Sequence, residues 1–223
     1  KVITYGKDNT ADWYPTDVTF NDLGHATYTV NHKGEKIAQV ELSIPGMHNV
    51  YNSLSAFALA TCYGVATEAI VKGIKNFTGT DRRFQFKGQF NGVNVIDDYA
   101  HHPTEIQATI NSARGTKLNK LWIMFQPHTY TRTYNHLDDF AKVLSEADHV
   151  ILLDIYASRE KDTGLVSSKD LRDKIEALGG VVTYCPTFND AEKYAVDNCR
   201  KGDMLITMGA GDVYKIGEKL VSK

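Results

Sequence analysis

Four short stretches gather residue types that can move protons or hold charge. Asp97-Asp98-Tyr99-Ala100-His101-His102-Pro103-Thr104-Glu105 sets two acids, a tyrosine and two histidines just ahead of what reads as a helix. Gln126-Pro127-His128-Thr129-Tyr130-Thr131-Arg132 follows a strongly apolar run and carries a histidine and an arginine four apart. Asn49 and Asn52 are three apart in the first turn of a helix, and Arg82-Arg83 are adjacent in a polar linker.

Each stretch admits more than one chemistry. Asp97, Asp98, His101 and His102, with Asp154 from a neighbouring strand end, have the donor types of a dinuclear metal site, as in a metal-dependent phosphohydrolase. Adjacent histidines at a helix start point in divergent directions, however, and no His-x3-His supports them. A second reading has His102 capping the helix while Asp98 accepts a backbone N–H. A third is recognition of an anionic ligand at the helix start, where the dipole also favours neutral imidazole. Arg132 can hold a carboxylate or phosphate with two parallel hydrogen bonds; the alternative is a surface loop with incidental charge. One of the two asparagines can act as an N-cap. The second needs another reason, and a side-chain amide can read a nucleobase edge. Arg82 and Arg83 suit a phosphate or ribose, or form a solvated pair.

The elements that must position these residues follow from periodicity. Residues 1–45 read as β-rich, with a hairpin-like pair turning at residues 31–34 and the first strand including Tyr28-Thr29-Val30. A helix follows from about His48 to Cys62, with Val50, Leu54, Phe57 and Ala58 on one face, ended by Gly64. A second spans Thr67 to Asn76, with Thr67 expected as its cap and Ile70, Val71 and Ile74 buried. Residues 77–84 read as a linker, which puts a boundary between 1–78 and 79–223. Beyond it, strands and helices alternate. Strands over 84–90 and 93–97 turn at Asn91-Gly92, a strong hairpin signal. Pro103 at a first helical position opens a helix to about Ala113, with Ile106 and Ile110 inward. The apolar runs around 121–126, 149–156, 181–185 and 203–209 read as strands. Helices are expected over Tyr134–Glu146, from a Ser167 or Ser168 cap through Leu171, Ile175 and Leu178 to Gly179-Gly180, from an Asn189 cap to Arg200, and over Asp212–Val221. This is an α/β fold, Rossmann-like, with a mostly parallel sheet covered by helices on both faces. Ligands of such sheets bind outside the carboxyl ends of the strands. The polar segments 97–103, 126–132, 154–160 and 209–212 should therefore share one edge.

Composition excludes several classes. Twenty-five basic and 27 acidic residues in 223 give a net charge of -2, which argues against a nucleic-acid binder. No apolar run is long enough to span a membrane. The three cysteines, Cys62, Cys185 and Cys199, are widely spaced and read as buried thiols in a reducing compartment. Gly209-Ala210-Gly211-Asp212 is weak as a cofactor motif, and the sequence contains no GxxxxGK[ST] phosphate loop. The chain opens on a strand-like KVITYG without Met, which reads as part of something longer.

The ordered set GMHNVYNSLSA, FTGTDRRF, VIDDYAHHPTEI, FQPHTYTRT and DIYASRE resembles the Mur ligases of peptidoglycan synthesis over essentially the whole chain. The YAHHPTE and QPH pair is similar to the alanine-adding branch; a murein-tripeptide recycling branch has a similar histidine pair. The resemblance implies that residues 1–78 are the last part of a central ATP-binding domain and 79–223 a whole C-terminal domain, in a cytoplasmic bacterial enzyme. It implies ATP and Mg2+ as cofactors, the magnesium ligands lying mainly outside this chain. The implied substrates are UDP-N-acetylmuramate and L-alanine, joined through an acyl phosphate, with the chain alone not expected to turn over. By the same resemblance Asn49 and Asn52 face the adenine, Arg82 and Arg83 the nucleotide, and Asp98 the ribose side. His101, His128 and Arg132 face the muramoyl and amino-acid substrates, with Arg132 on the alanine carboxylate. No metal ligand is expected in this chain. Family members often carry a basic residue where this chain has Thr129. An exposed sheet edge in residues 1–78 would open a route to a homodimer.

Overall fold

The computed structural model describes residues 2–222 and divides into two compact units, 2–79 with 111–117, and 80–110 with 118–222.

The first unit is a three-stranded antiparallel sheet in the order β1 (Trp13–Phe20), β2 (His25–His32), β3 (Glu35–Pro45), with helices α1 (Met47–Cys62) and α2 (Thr67–Asn76). Alternate strand residues Tyr28, Val30, Val40 and Leu42 meet Val50, Leu54 and Phe57 of α1 and Ile70 of α2 in one core. Lys33 and Gly34, both with positive φ, make the β2–β3 turn. Strand β1 lies outside the expected pair. Pro15 and a bulge at Asp17 interrupt its alternation, and an edge strand tolerates both. Gly64 closes α1 in a left-handed conformation as expected. Thr67 is not a cap: the position belongs to Ala66, without a side-chain bond. Cys62 is exposed rather than buried.

The second unit is a six-stranded sheet ordered β4 (Gln85–Phe90), β5 (Val93–Asp98), β9 (Met204–Met208), β6 (Leu121–Phe125), β7 (His149–Leu152), β8 (Val182–Tyr184). Only the β4–β5 hairpin is antiparallel. Every residue of β6 and β9 is buried, as a sheet covered on both faces requires. On one face Val95, Trp122, Met124 and Leu205 pack against Ala191 and Ala195 of α7 (Phe188–Asn198) and Ile216 and Leu220 of α8 (Tyr214–Val221). On the other, Phe125 meets Phe140 of α5 (Leu137–Leu144). Helices α3 (Pro103–Arg114) and α6 (Ser168–Ala177) complete the alternation, α6 opening at Ser167 in a capping box with Asp170. Leu178 of the expected apolar set is exposed, and α7 is capped by Thr187 rather than Asn189.

The largest departure is at residues 130–146. The expected helix from Tyr134 begins at Tyr130, as a short α4 (Tyr130–Asn135), and breaks at His136 before α5. Thr133 is buried inside α4 with its hydroxyl donating to the Thr129 carbonyl. Arg132 therefore sits on a helix, not in a loop.

Candidate functional site at the carboxyl edge of the sheet

The chain runs from β5 to β6 to β7 and β8, then returns so that β9 enters between β5 and β6. That return makes the switch point at which open α/β sheets bind ligands. Asp98 pairs with Met208, Met208 with Phe125, and Phe125 with Leu152. The four polar segments after these strands accordingly share one edge.

Two of the site's acids face inward. Asp97 is fully buried; Oδ2 accepts from Arg82 Nε at 3.0 Å and Oδ1 from the Thr207 hydroxyl at 2.8 Å. Asp98 is nearly as buried and accepts from the backbone N–H of Ala100 (2.8 Å) and Phe84 (3.0 Å) and from the Thr109 hydroxyl (3.1 Å). Burial pushes its carboxyl above the usual range in spite of these donors. The backbone-binding reading of Asp98 thus describes its contacts, and a dinuclear metal site is left without open carboxylate oxygens from this pair.

The two arginines diverge. Arg82 also donates through Nη2 to the carbonyls of Gly209 (2.8 Å) and Gly211 (3.2 Å) and lies between the rings of Tyr99 and Tyr214, 4.8 and 4.6 Å from its guanidinium carbon. It ties the start of β4 to the turn after β9. Arg83 is more than half exposed, with a 3.8 Å approach to Glu105.

His101, His128 and Arg132 come together. His101 Nδ1 lies 2.9 Å from the Tyr99 carbonyl, which only accepts, so that nitrogen carries the proton and Nε2 is the acceptor in the neutral ring. The His101 and His128 ring centres are 6.0 Å apart. His128 Nδ1 is 3.1 Å from Arg132 Nη1. A guanidinium only donates, so Nδ1 is unprotonated and neutral His128 bears its proton on Nε2. Burial, then Arg132 and His101, hold its pKa below the ordinary histidine value. His102 sits at the start of α3 with Nδ1 3.4 Å from the Thr104 N–H, in keeping with the capping reading.

Sequence reasoning passed over Gln126 and Tyr156. The Gln126 Oε1 is buried without a hydrogen bond. A Cβ at Gly209 would stand 2.6 Å from the Gln126 carbonyl oxygen, and one at Gly211 2.6 Å from its Oε1. The GAGD turn is thus glycine-rich because the 126 segment passes against it. Tyr156 stacks on His128, ring centres 5.6 Å apart. Both residues lie in segments the strand-end rule places on this edge, but no spacing singled out either residue within them.

In the first unit, Asn49 and Asn52 do not cap α1. The position is Gly46, without a side-chain bond. Asn49 Nδ2 donates to the Pro45 carbonyl at 2.8 Å, and Asn52 Nδ2 to Asn49 Oδ1 at 3.1 Å. The second amide orders the first, and Asn52 is itself exposed.

A covered, mostly parallel sheet with a histidine–arginine group at its switch point defines an α/β ligand-binding domain, and this chain belongs to the Mur ligase family. Residues 82–211 match the Mur ligase, glutamate ligase domain, and residues 1–60 the Mur ligase middle domain. It is 51% identical over 223 residues to the UDP-N-acetylmuramate–L-alanine ligase of Agathobacter rectalis, covering 100% of this chain and 49% of that protein. Identity is 51% over 222 residues with the enzyme of the same name from Lachnospira eligens (99% and 48%). Among solved structures, the UDP-N-acetylmuramate-alanine ligase MurC of Thermotoga maritima superposes with a TM-score of 0.84 at 26% identity (99% and 47%). A murein peptide ligase of Psychrobacter arcticus gives 0.68 at 27% (98% and 45%). The chain spans about half the length of the curated relatives it matches. Among the described residues no helix is long and apolar enough to cross a membrane.

Proposed function

We propose that this chain is the substrate-facing part of an ATP-dependent ligase that joins L-alanine to UDP-N-acetylmuramate in bacterial peptidoglycan synthesis. The observation that carries the reading is 51% identity, over the whole chain, to proteins of that name. Residues 1–78 then belong to a middle domain and 79–223 form a C-terminal domain. The free cysteines fit a reducing cytoplasm.

In that reaction ATP would supply the γ-phosphoryl group, the lactyl carboxylate taking it as an acyl phosphate while ADP leaves, and the alanine amine would displace inorganic phosphate to form the amide. The part of this chain is positioning and charge neutralisation. Arg132 keeps all donors but one for the alanine carboxylate, and His128 aims it. His101 offers Nε2 toward the muramoyl substrate. Asn52, held by Asn49, presents its amide edge to adenine, and Arg83 an open guanidinium to the nucleotide. Arg82 and Asp98 serve by shaping the strand ends, because their polar atoms have internal partners. Magnesium does not fit the carboxylates here, since Asp97 and Asp98 are buried and each of their oxygens already accepts a hydrogen bond within the fold.

The test uses the longer protein that carries this chain. ATP, UDP-N-acetylmuramate and L-alanine together should release phosphate, and omission of alanine should abolish the release. Preference for the murein tripeptide over alanine would assign the recycling branch instead. Metal-dependent phosphate release from a simple phosphomonoester, without an amino acid, would establish the phosphohydrolase reading and overturn this one.

A further inference from the structure

Helix α4 carries Arg132 but lacks a cap of its own. The residue before it, Thr129, has φ 67° and ψ 144°, a left-handed conformation that a β-branched residue rarely adopts, and its side chain makes no cap bond. The missing acceptor comes from another loop. Glu160 Oε2 accepts the Thr131 N–H at 2.9 Å. The same loop holds the strained segment on both sides: Tyr156 N–H donates to the Pro127 carbonyl (2.8 Å), and Thr129 N–H to the Tyr156 carbonyl (2.9 Å). The Tyr156 ring supports His128 from below. Glu160 is itself fixed by its N–H donating to the Ala157 carbonyl at 3.0 Å. Arg132 directly follows the residue that Glu160 binds.

We propose that Glu160 is a positioning residue: it caps α4 from the 154–160 loop and thereby fixes the Arg132 guanidinium against His128 for the amino-acid carboxylate. This rests on the ligase reading only in naming that carboxylate. The cap has an electrostatic signature as well. Burial and three charged or titratable groups set the protonation of His128: burial, Arg132 and His101 lower its pKa, and Glu160 raises it. The Glu160 carboxyl is held below its usual range, first by the Thr131 N–H. Removing the charge while keeping the acceptor therefore separates the two effects.

Glu160→Ala and Glu160→Gln are compared in two settings. In this chain, NMR follows exchange of the Thr131 amide and titration of the His128 ring nitrogens. In the longer protein, KM for L-alanine and kcat are measured. Glu160→Ala should speed Thr131 exchange and raise KM for alanine about fivefold, the size of a lost helix cap, with kcat little changed. Glu160→Gln should restore KM and slow exchange, because it still accepts the N–H, while His128 titrates at lower pH than in the parent. The proposal is overturned by a Glu160→Ala chain with unchanged Thr131 exchange, by faster exchange with unchanged KM, or by Gln behaving as Ala does. Should Glu160→Ala fail to fold, the Gln variant decides: an unmoved His128 titration sinks the proposal. If the longer protein shows no alanine-dependent turnover, the ligase reading fails, and the NMR arm alone decides whether Glu160 positions α4.

Discussion

Arg82 and Arg83 are adjacent in sequence and opposite in environment, and that contrast makes a sharp test. Arg82 is the charge partner of Asp97, whose side chain is 1% exposed. Arg82→Ala leaves that carboxylate buried with the Thr207 hydroxyl as its remaining donor, a loss of about 3–5 kcal/mol in unfolding free energy. Arg83→Ala removes a half-exposed group 3.8 Å from its acid and should cost less than about 1 kcal/mol. Urea denaturation at neutral pH checks both. Equal, small losses would show that the Arg82–Asp97 pair is not a buried tie. Their partition was not legible in the sequence, because the Arg82 partners lie at positions 97, 209 and 211, brought together only by the return of β9. The grouping of His101, His128 and Arg132 was legible, since it needs only the rule that polar residues after parallel strands share an edge.

At the scale of elements, the two hairpins offer a matched pair. Lys33-Gly34 and Asn91-Gly92 both place two successive residues at positive φ, 50° and 92° in one, 50° and 78° in the other. That is the turn whose twist suits the flanking strands. A Cβ at Gly34 meets nothing within 4 Å, whereas one at Gly92 would stand 2.8 Å from Lys201 Cγ and 3.2 Å from its Cβ. Gly34→Ala should therefore cost only the left-handed strain, about 1–2 kcal/mol. Gly92→Ala should cost that and the displacement of Lys201. Chemical denaturation of the two variants measures the difference, and indistinguishable losses would remove Lys201 from the account. The Asn-Gly turn announced its hairpin because the signal is local. The fully buried strands β6 and β9 were equally plain as unbroken apolar runs. Strand β1 was hidden because Pro15 and the bulge at Asp17 break the alternation on which a reading depends. Helix α4 was hidden because its start is set by Glu160, about thirty residues on in the chain, and no local cap marks Thr129.

For the molecule as a whole, three histidines tie stability to pH in one direction. His25 in the first unit, and His128 and His149 in the second, have pKa values below the ordinary 6.5, in each case chiefly through burial. His149 stacks on Trp122 with ring centres 4.4 Å apart, and its Nε2 lies 3.0 Å from the Thr183 hydroxyl. A group with a depressed folded pKa binds its proton more readily once unfolded. Its stabilising contribution is complete above about pH 6.5, the unfolded value, and is lost as pH falls through the folded value. Asp98, raised by burial, has the opposite sign: its contribution is present below its unfolded pKa and lost as pH rises through the folded one. The histidines outnumber it, and their unfolded pKa lies nearer neutrality. Unfolding free energy should therefore fall between pH 7.5 and pH 5.5. His149→Gln removes one of the three contributions without touching the His101–His128–Arg132 group, so its stability should change less over that interval than the parent's. Urea titrations at the two pH values supply all four numbers. A parent stability that is flat or rises on acidification would overturn the sign. A His149→Gln slope equal to the parent's would move the effect to His25 and His128.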